Sequence, residues 1–302
     1  ALAPLAVLAS LVAAPLRAAG PPDLFQVWQP PRAIWTLTEE GGRTPPLNAK
    51  GKVVLTRETT IRKELEAALV VSNNDAYNFL YDLAGRDALN RLWLAAGLKS
   101  VHISHKLSAT TQGVSTTERI RFLAPGGAIT LSSDKSAEPL PPLSIPGIKV
   151  SATGEKESMD FSGRNYVSMM DLMRMCAWIA DPALAPDVHW PGTDDDRKLV
   201  RDTMNLEAFD WALYRPLRAG LTEAIPGDDL NYIGKPGQAY GFSGDVAYVE
   251  SKSTGKAFLV GVALRPGPQA RATASRRDQH FDDVGTPFFL SLGDRLGHEL
   301  LR

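Results

Sequence analysis

The hydrophobic pattern of this 302-residue chain changes character in its C-terminal third, and the change decides what it can fold into. The strongest stripes before about residue 205 recur every three to four positions, the spacing of one helix face. Ile61, Leu65, Leu69 and Val70 form such a stripe, with Thr59 or Thr60 as the cap. Asp75 to Ala84 and Asp87 to Ala96 read as two further helices, closed by Gly85 and Gly97. Ser168, with Asp171 three residues on, approaches a capping box and opens a stripe of Met169, Leu172, Met173, Cys176 and Ile179. Asp195 to Met204 is a shorter helix whose carboxylates, Asp194 to Asp196, favour its N-terminus.

Beyond residue 226 the pattern turns strand-like. Leu230 to Ile233, Asp245 to Glu250 and Ala257 to Leu264 read as strands, the last two joined by a hairpin turn at Ser251 to Lys256. Phe289, Leu292, Leu296 and Leu300 then lie on one face of a terminal helix over Pro287 to Leu301. This order predicts an α+β protein. Residues 1–225 form a mainly helical domain with loop-rich insertions, and residues 226–302 an antiparallel sheet with a C-terminal helix. Residues 21–57 read as irregular apart from a strand near Lys52 to Thr56. Residues 98–150 read as loops with strands near Glu118 to Leu123 and Ala128 to Ser132. Glu138 to Pro146, with four prolines, reads as extended. Ala1 to Gly20 reads as a buried helix in preference to a signal peptide.

Composition narrows the function classes. With 33 basic and 34 acidic residues, the chain has no global field to hold nucleic acid or an anionic membrane. A single cysteine, Cys176, builds neither an internal disulfide nor a cysteine-based zinc site. It lies on an apolar helix stripe and reads as buried and inert. His102 and His105 are three apart in a strand-like segment and so face opposite ways. His189, His280 and His298 are isolated. The glycines at 234, 237, 241 and 244 lack the order of a phosphate-binding loop. Arg271, Arg276 and Arg277 read as a solvated loop. No metal and no cofactor is expected.

Three stretches in order resemble the class A β-lactamase-like serine hydrolases. The first is Val71-Ser72-Asn73-Asn74-Asp75 with Leu83-Ala84-Gly85-Arg86-Asp87. The second is Gly163-Arg164-Asn165-Tyr166-Val167-Ser168 with Asp171. The third is Lys235-Pro236-Gly237, followed by Asp245-Val246-Ala247-Tyr248. The resemblance spans about residues 60–302. It implies acyl transfer to a serine from an amide or lactam carbonyl, in a cleft between a helical domain and an antiparallel sheet. Under it Ser72 relays a proton toward the leaving nitrogen, and Asn74 binds the substrate's amide side chain. Lys235 supplies positive charge, and Gly237 lets the backbone come close to the substrate. Partners would be small-molecule or peptide amides and lactams, met by a periplasmic or secreted monomer with no membrane span. Each tripeptide also has a plain structural reading. Ser72 and Asn74 are both suited to cap the next helix, and Lys235 to blunt a sheet edge.

The departures are specific. The resemblance puts a Ser-x-x-Lys some tens of residues before Ser72, and none occurs there. Ser132-Ser133-Asp134-Lys135 and Ser253-Thr254-Gly255-Lys256 come after Ser72 and start no helix. The reading is that the chain lacks its nucleophile and the strands before it. Pro236 stands where a hydroxyl residue is usual, and Asn73 where an aspartate is. No match to a deacylating glutamate is found; Glu118 lies in the right region in the wrong context. Two functions stay open: a serine hydrolase, and a binding module that keeps the cleft without the acylation chemistry.

Overall fold

The computed structural model describes residues 27–29, 59–107, 117, 120–124, 127–131, 147–150, 156–159, 164–190, 192–206, 215–239, 242–264 and 281–302. The readings made for Ala1 to Gly20, Lys52 to Thr56, Ser132 to Lys135, Glu138 to Pro146, Glu118, Arg271, Arg276, Arg277 and His280 lie outside these residues.

Among the described residues, the first five helices share one core. They are α1 (Ile61–Val70), α2 (Asn74–Ala84), α3 (Arg86–Ala95), α4 (Met169–Ala180) and α5 (Asp194–Asn205). A sixth, α6 (Pro216–Ala224), follows, and α7 (Thr286–Leu296) continues as a π-helical turn over Gly297–Leu301. The main sheet holds β7 (Leu230–Gly234), β8 (Gly237–Ala239), β9 (Phe242–Ser251) and β10 (Ala257–Leu264). β9 is central, with β10 on one side and β7 and β8 along the other, all antiparallel. A second sheet has the order β2 (Thr59–Thr60), β1 (Val27–Gln29), β3 (Ile120–Ala124), β4 (Gly127–Leu131). β5 (Gly147–Val150) and β6 (Lys156–Met159) make a hairpin. The architecture is α+β, as the change of period predicts.

Side-chain alternation along β7 and β9 divides the core between the two faces of the main sheet. Ile233 and Val246 join the cluster of helices α1 to α5, built on residues such as Leu65, Tyr77, Trp93 and Cys176. Leu230, Tyr232, Ala247 and Val249 join Leu217, Leu221, Phe289 and Leu301 on the other face. Each fully buried leucine contributes about 1.5–3 kcal/mol relative to exposure. Close approach needs glycine here. A Cβ on Gly220 of α6 would fall 2.0 Å from the Leu290 carbonyl oxygen of α7, and one on Gly293 would fall 2.2 Å from that of Leu217. The methionine stripe of α4 packs the same way: Met169 and Met173 occupy the space that a side chain on Gly261 of β10 would need. Cys176 is fully buried in that helix, and burial pushes its thiol well above the usual range.

Several expectations need correction. Val27–Gln29 is a strand inside the stretch read as irregular, because β2 and β3 supply partners distant in sequence. The hairpin of β5 and β6 falls partly in a segment read as loop. Helix α6 carried no prediction, since Gly220 at its centre weakens the helical signal. The Ser168 cap forms only half a box. Its hydroxyl accepts from the Asp171 amide at 3.1 Å, but the Asp171 carboxylate turns to Ser100, and the Ser168 amide donates to the Ser100 hydroxyl at 3.0 Å. The full box is at α5, between Thr193 and Asp196. His102 belongs to a single bridge with Tyr166 and not to a strand.

Candidate functional site

The sharp turn between α1 and α2 sets one wall of the site. It is closed by the Asn73 amide donating to the Ala67 carbonyl at 3.0 Å. The Asn73 side chain caps α2, accepting from the amides of Asp75 at 2.9 Å and Ala76 at 3.1 Å. The capping reading of Ser72 and Asn74 is thereby corrected: the residue between them does that work. Ser72 has φ +57°, the left-handed region that costs a non-glycine residue about 1–2 kcal/mol. It is the one non-glycine residue in that region among those described. Strain of this kind is held in place by surrounding structure. Behind α2, Asn165 ties the segment before α4 to the Ser104–His105 loop and to Tyr77. Its oxygen accepts from the amides of Ser104 and His105, and its nitrogen donates to the His105 carbonyl and the Tyr77 hydroxyl.

The facing wall is the open edge of the main sheet. β7 and β8 keep one register against β9, Gly234 opposite Ala247 and Gly237 opposite Gly244. The Lys235 amide donates to the Val246 carbonyl at 2.9 Å, so Lys235 and Val246 form a hydrogen-bonded pair. Antiparallel pairs alternate, so the backbone groups of Pro236 and Gln238 face away from β9. Proline at 236 therefore removes no ladder bond from this edge, although it brings no hydroxyl.

Lys235 lies on the helical face of that edge with its side chain almost wholly buried. Its Nζ donates to the Ser72 Oγ at 2.7 Å and to the Pro236 carbonyl at 2.9 Å. Burial pushes its ammonium down to about 7; Arg215 adds to the effect and Asp245 opposes it. On the other face, Asp245 is 1% exposed and accepts from the Tyr232 hydroxyl at 2.8 Å. Burial pushes its carboxyl up to about 7, against the pull of Tyr232, Arg215 and Lys235. Arg215 is fully buried and donates to the carbonyls of Met204 and Leu69; desolvation lowers it to about 10.

A cavity of about 360 Å³ runs round this edge. Ser72 and Asn74 line it from the helical side, Pro236, Gly237 and Gln238 from the strand, and Ser243, Asp245, Pro216 and Phe289 from beyond it. All four residues singled out in the sequence, Ser72, Asn74, Lys235 and Gly237, are thus brought to one place. Three line the cavity, and Lys235 reaches it through Ser72. Ser253 and Lys256 sit in the distant hairpin turn with Asp229 and the C-terminal residues. Sequence reasoning gave no site role to Asp245, Ser243, Tyr232 or Arg215, although Asp245 stands in the third stretch of the resemblance. One signal existed for Asp245: it alternates with Ala247 and Val249 on an apolar strand face. Arg215 offered none. Among the described residues, no group of three or more histidine, cysteine or acidic side chains is placed to hold a metal ion. None of their helices is long and apolar enough to cross a membrane.

A model of the β-lactamase enzyme family matches residues 40–140, about a third of the chain. Three solved structures share the fold. PBP-A aligns with 97% of this chain and 79% of its own, at 15% identity and a TM-score of 0.53. The β-lactamase of Sphaerobacter thermophilus aligns over 99% and 82%, at 12% identity and a TM-score of 0.53. A substituted PBP-A, solved as an acyl-enzyme with penicillin G, aligns over 96% and 79%, at 15% identity and a TM-score of 0.50. No curated protein matches. The expected likeness to β-lactamase-like serine hydrolases holds, in the family model over residues 40–140 and in the fold.

Proposed function

We propose, for a chain that is β-lactamase-like in fold, that its cleft carries out acyl transfer on lactam or amide substrates. The observation that carries this is the hydrogen bond between Lys235 Nζ and Ser72 Oγ at the cavity wall. A hydroxyl becomes a useful nucleophile when a base within hydrogen-bond reach can take its proton. An amine whose ammonium is pushed down to about 7 has a neutral fraction able to do so at neutral pH.

The resemblance gives Ser72 the part of proton relay to the leaving nitrogen. Ser72 also has the geometry of a nucleophile, its hydroxyl held by the buried Lys235 amine at the cavity wall. Its Oγ attacks the carbonyl carbon, and its proton passes to Lys235 Nζ. The carbon–nitrogen bond then breaks, and the departing nitrogen takes the proton from Nζ. Asn74 and Gly237 line the space where the rest of the substrate would lie. The Gln238 amide, facing away from β9 into that space, is suited to donate to the developing oxyanion. The likeness to β-lactamases supports a periplasmic or secreted location under this reading.

The second reading, a binding module, draws on Pro236, which leaves the edge without the usual hydroxyl. A fluorophosphonate reagent separates the two. The first reading expects an intact-mass increase by one phosphonyl group. A chain that stays unmodified yet binds benzylpenicillin in calorimetry is the binding module. A chain that does neither overturns both.

A further inference from the structure

The cavity has a second chemical end that the Ser72–Lys235 pair does not use. Ser243 and Asp245 project from β9 onto the face of the sheet opposite Lys235, beside Phe289 and Pro216. Both are nearly fully buried, at 2% and 1% exposure, and both line the cavity. The Ser243 hydroxyl and the Asp245 Oδ1 have no hydrogen-bond partner among the described residues. A buried polar atom without a partner is costly, so such atoms mark places where a ligand completes the bonding. Only the second carboxylate oxygen, Oδ2, is satisfied, by Tyr232. The nearby cations act on Asp245 through their field but bond to other groups: Arg215 donates to two backbone carbonyls, Lys235 donates to Ser72 and Pro236, and Arg218 lies over the Tyr232 ring at 5.8 Å. Asp245 forms no ion pair among the described residues.

From this geometry we infer that the Asp245–Ser243 end binds a protonated amine, carried on a ligand whose apolar part lies against Phe289 and Pro216. A carboxylate oxygen and a hydroxyl at one spot offer acceptors to an ammonium, which brings three donors. The aromatic ring and the proline supply the apolar wall. The cleft is therefore two-ended, with an amine beside Ser72 and a carboxylate beyond the sheet edge. It suits a ligand with its reacting carbonyl at the first and an ammonium at the second. This inference rests on the cavity being the ligand site proposed above, but not on any covalent step there.

The test uses benzylammonium and benzoate, two probes of similar size and opposite charge, titrated into the chain and followed by protein NMR. Benzylammonium should bind at least tenfold more tightly than benzoate and shift the resonances of Ser243 and Asp245. Asp245→Asn, whose amide oxygen can still accept from Tyr232, should weaken benzylammonium at least tenfold. Ser243→Ala should weaken it by a smaller factor. Benzoate binding as tightly as benzylammonium to the unaltered chain overturns the inference, whether or not the variants fold. So does unchanged affinity in a folded Asp245→Asn. A chain that selects benzylammonium but takes no phosphonyl group keeps this inference and loses the acyl-transfer reading. The reverse pattern does the opposite.

Discussion

Lys235 Nζ donates to Ser72 Oγ across 2.7 Å, joining a sheet edge to a helical turn 163 residues earlier in the chain. Each partner is held by its own backbone. Lys235 is locked into the β9 ladder through its amide. Ser72 is held in the left-handed region by a turn that Asn73 closes on both sides.

Strain at Ser72 predicts a separation of stability from function. Ser72→Gly removes the left-handed penalty, whereas Ser72→Ala keeps it. The glycine variant should be more stable than the alanine variant by about 1 kcal/mol in urea unfolding. Both lack the hydroxyl, so both should be equally inert toward acylating reagents. Equal stability of the two variants would mean that the turn relaxes on substitution.

The neighbouring asparagines should behave differently. Asn73→Ala loses the α2 cap and should cost about 1 kcal/mol. Asn74→Ala should change stability by less than about 0.5 kcal/mol and instead weaken ligand binding. Thermal melts paired with a benzylpenicillin titration read both quantities. A stability loss confined to Asn74→Ala would reverse the assignment.

The glycine contacts between α6 and α7 predict a packing defect. Gly220→Ala and Gly293→Ala each place a methyl group against backbone, where neither partner can turn aside. Each should destabilise by about 1–3 kcal/mol. Gly255→Ala is the control. Its φ is +68° but its surroundings are open, so only the conformational cost applies, about 1 kcal/mol. Urea midpoints for the three would expose an error if Gly255→Ala proved the most harmful.

The buried carboxyl of Asp245 gives a pH signature. Its folded value, about 7, lies above the ordinary 3.8, so the folded state holds the proton more tightly than the unfolded state. This contribution is present at low pH and is lost as pH rises toward and through 7, with a slope of at most about 1.4 kcal/mol per pH unit. Asp245→Asn removes it. The variant should therefore gain stability relative to the unaltered chain between pH 4 and 8. Denaturation at pH 5 and pH 8 reads the difference, and a relative loss at pH 8 would contradict the burial argument.

Much of this fold could be read from periodicity, because helix stripes and strand alternation are local. The long stripe of α4 and the β9–β10 hairpin are examples. What escaped was set by distant partners. Val27–Gln29 is a strand because β2 and β3 flank it, and α6 is a helix because Gly220 lets α7 approach. The site divides in the same way. Ser72, Asn74, Lys235 and Gly237 stand in short motifs whose order is visible. Their meeting depends on a tertiary contact, and Asp245 and Arg215 matter through burial that no local pattern encodes.

The central claim is that Ser72, held by Lys235, accepts an acyl group, and peptide mapping after exposure to benzylpenicillin tests it directly. The unaltered chain should gain the full mass of the drug on the peptide containing Ser72. Ser72→Ala should gain none, and Lys235→Met should react about 100-fold more slowly or less. An adduct on another residue, or equal labelling of the unaltered chain and Ser72→Ala, would contradict the account.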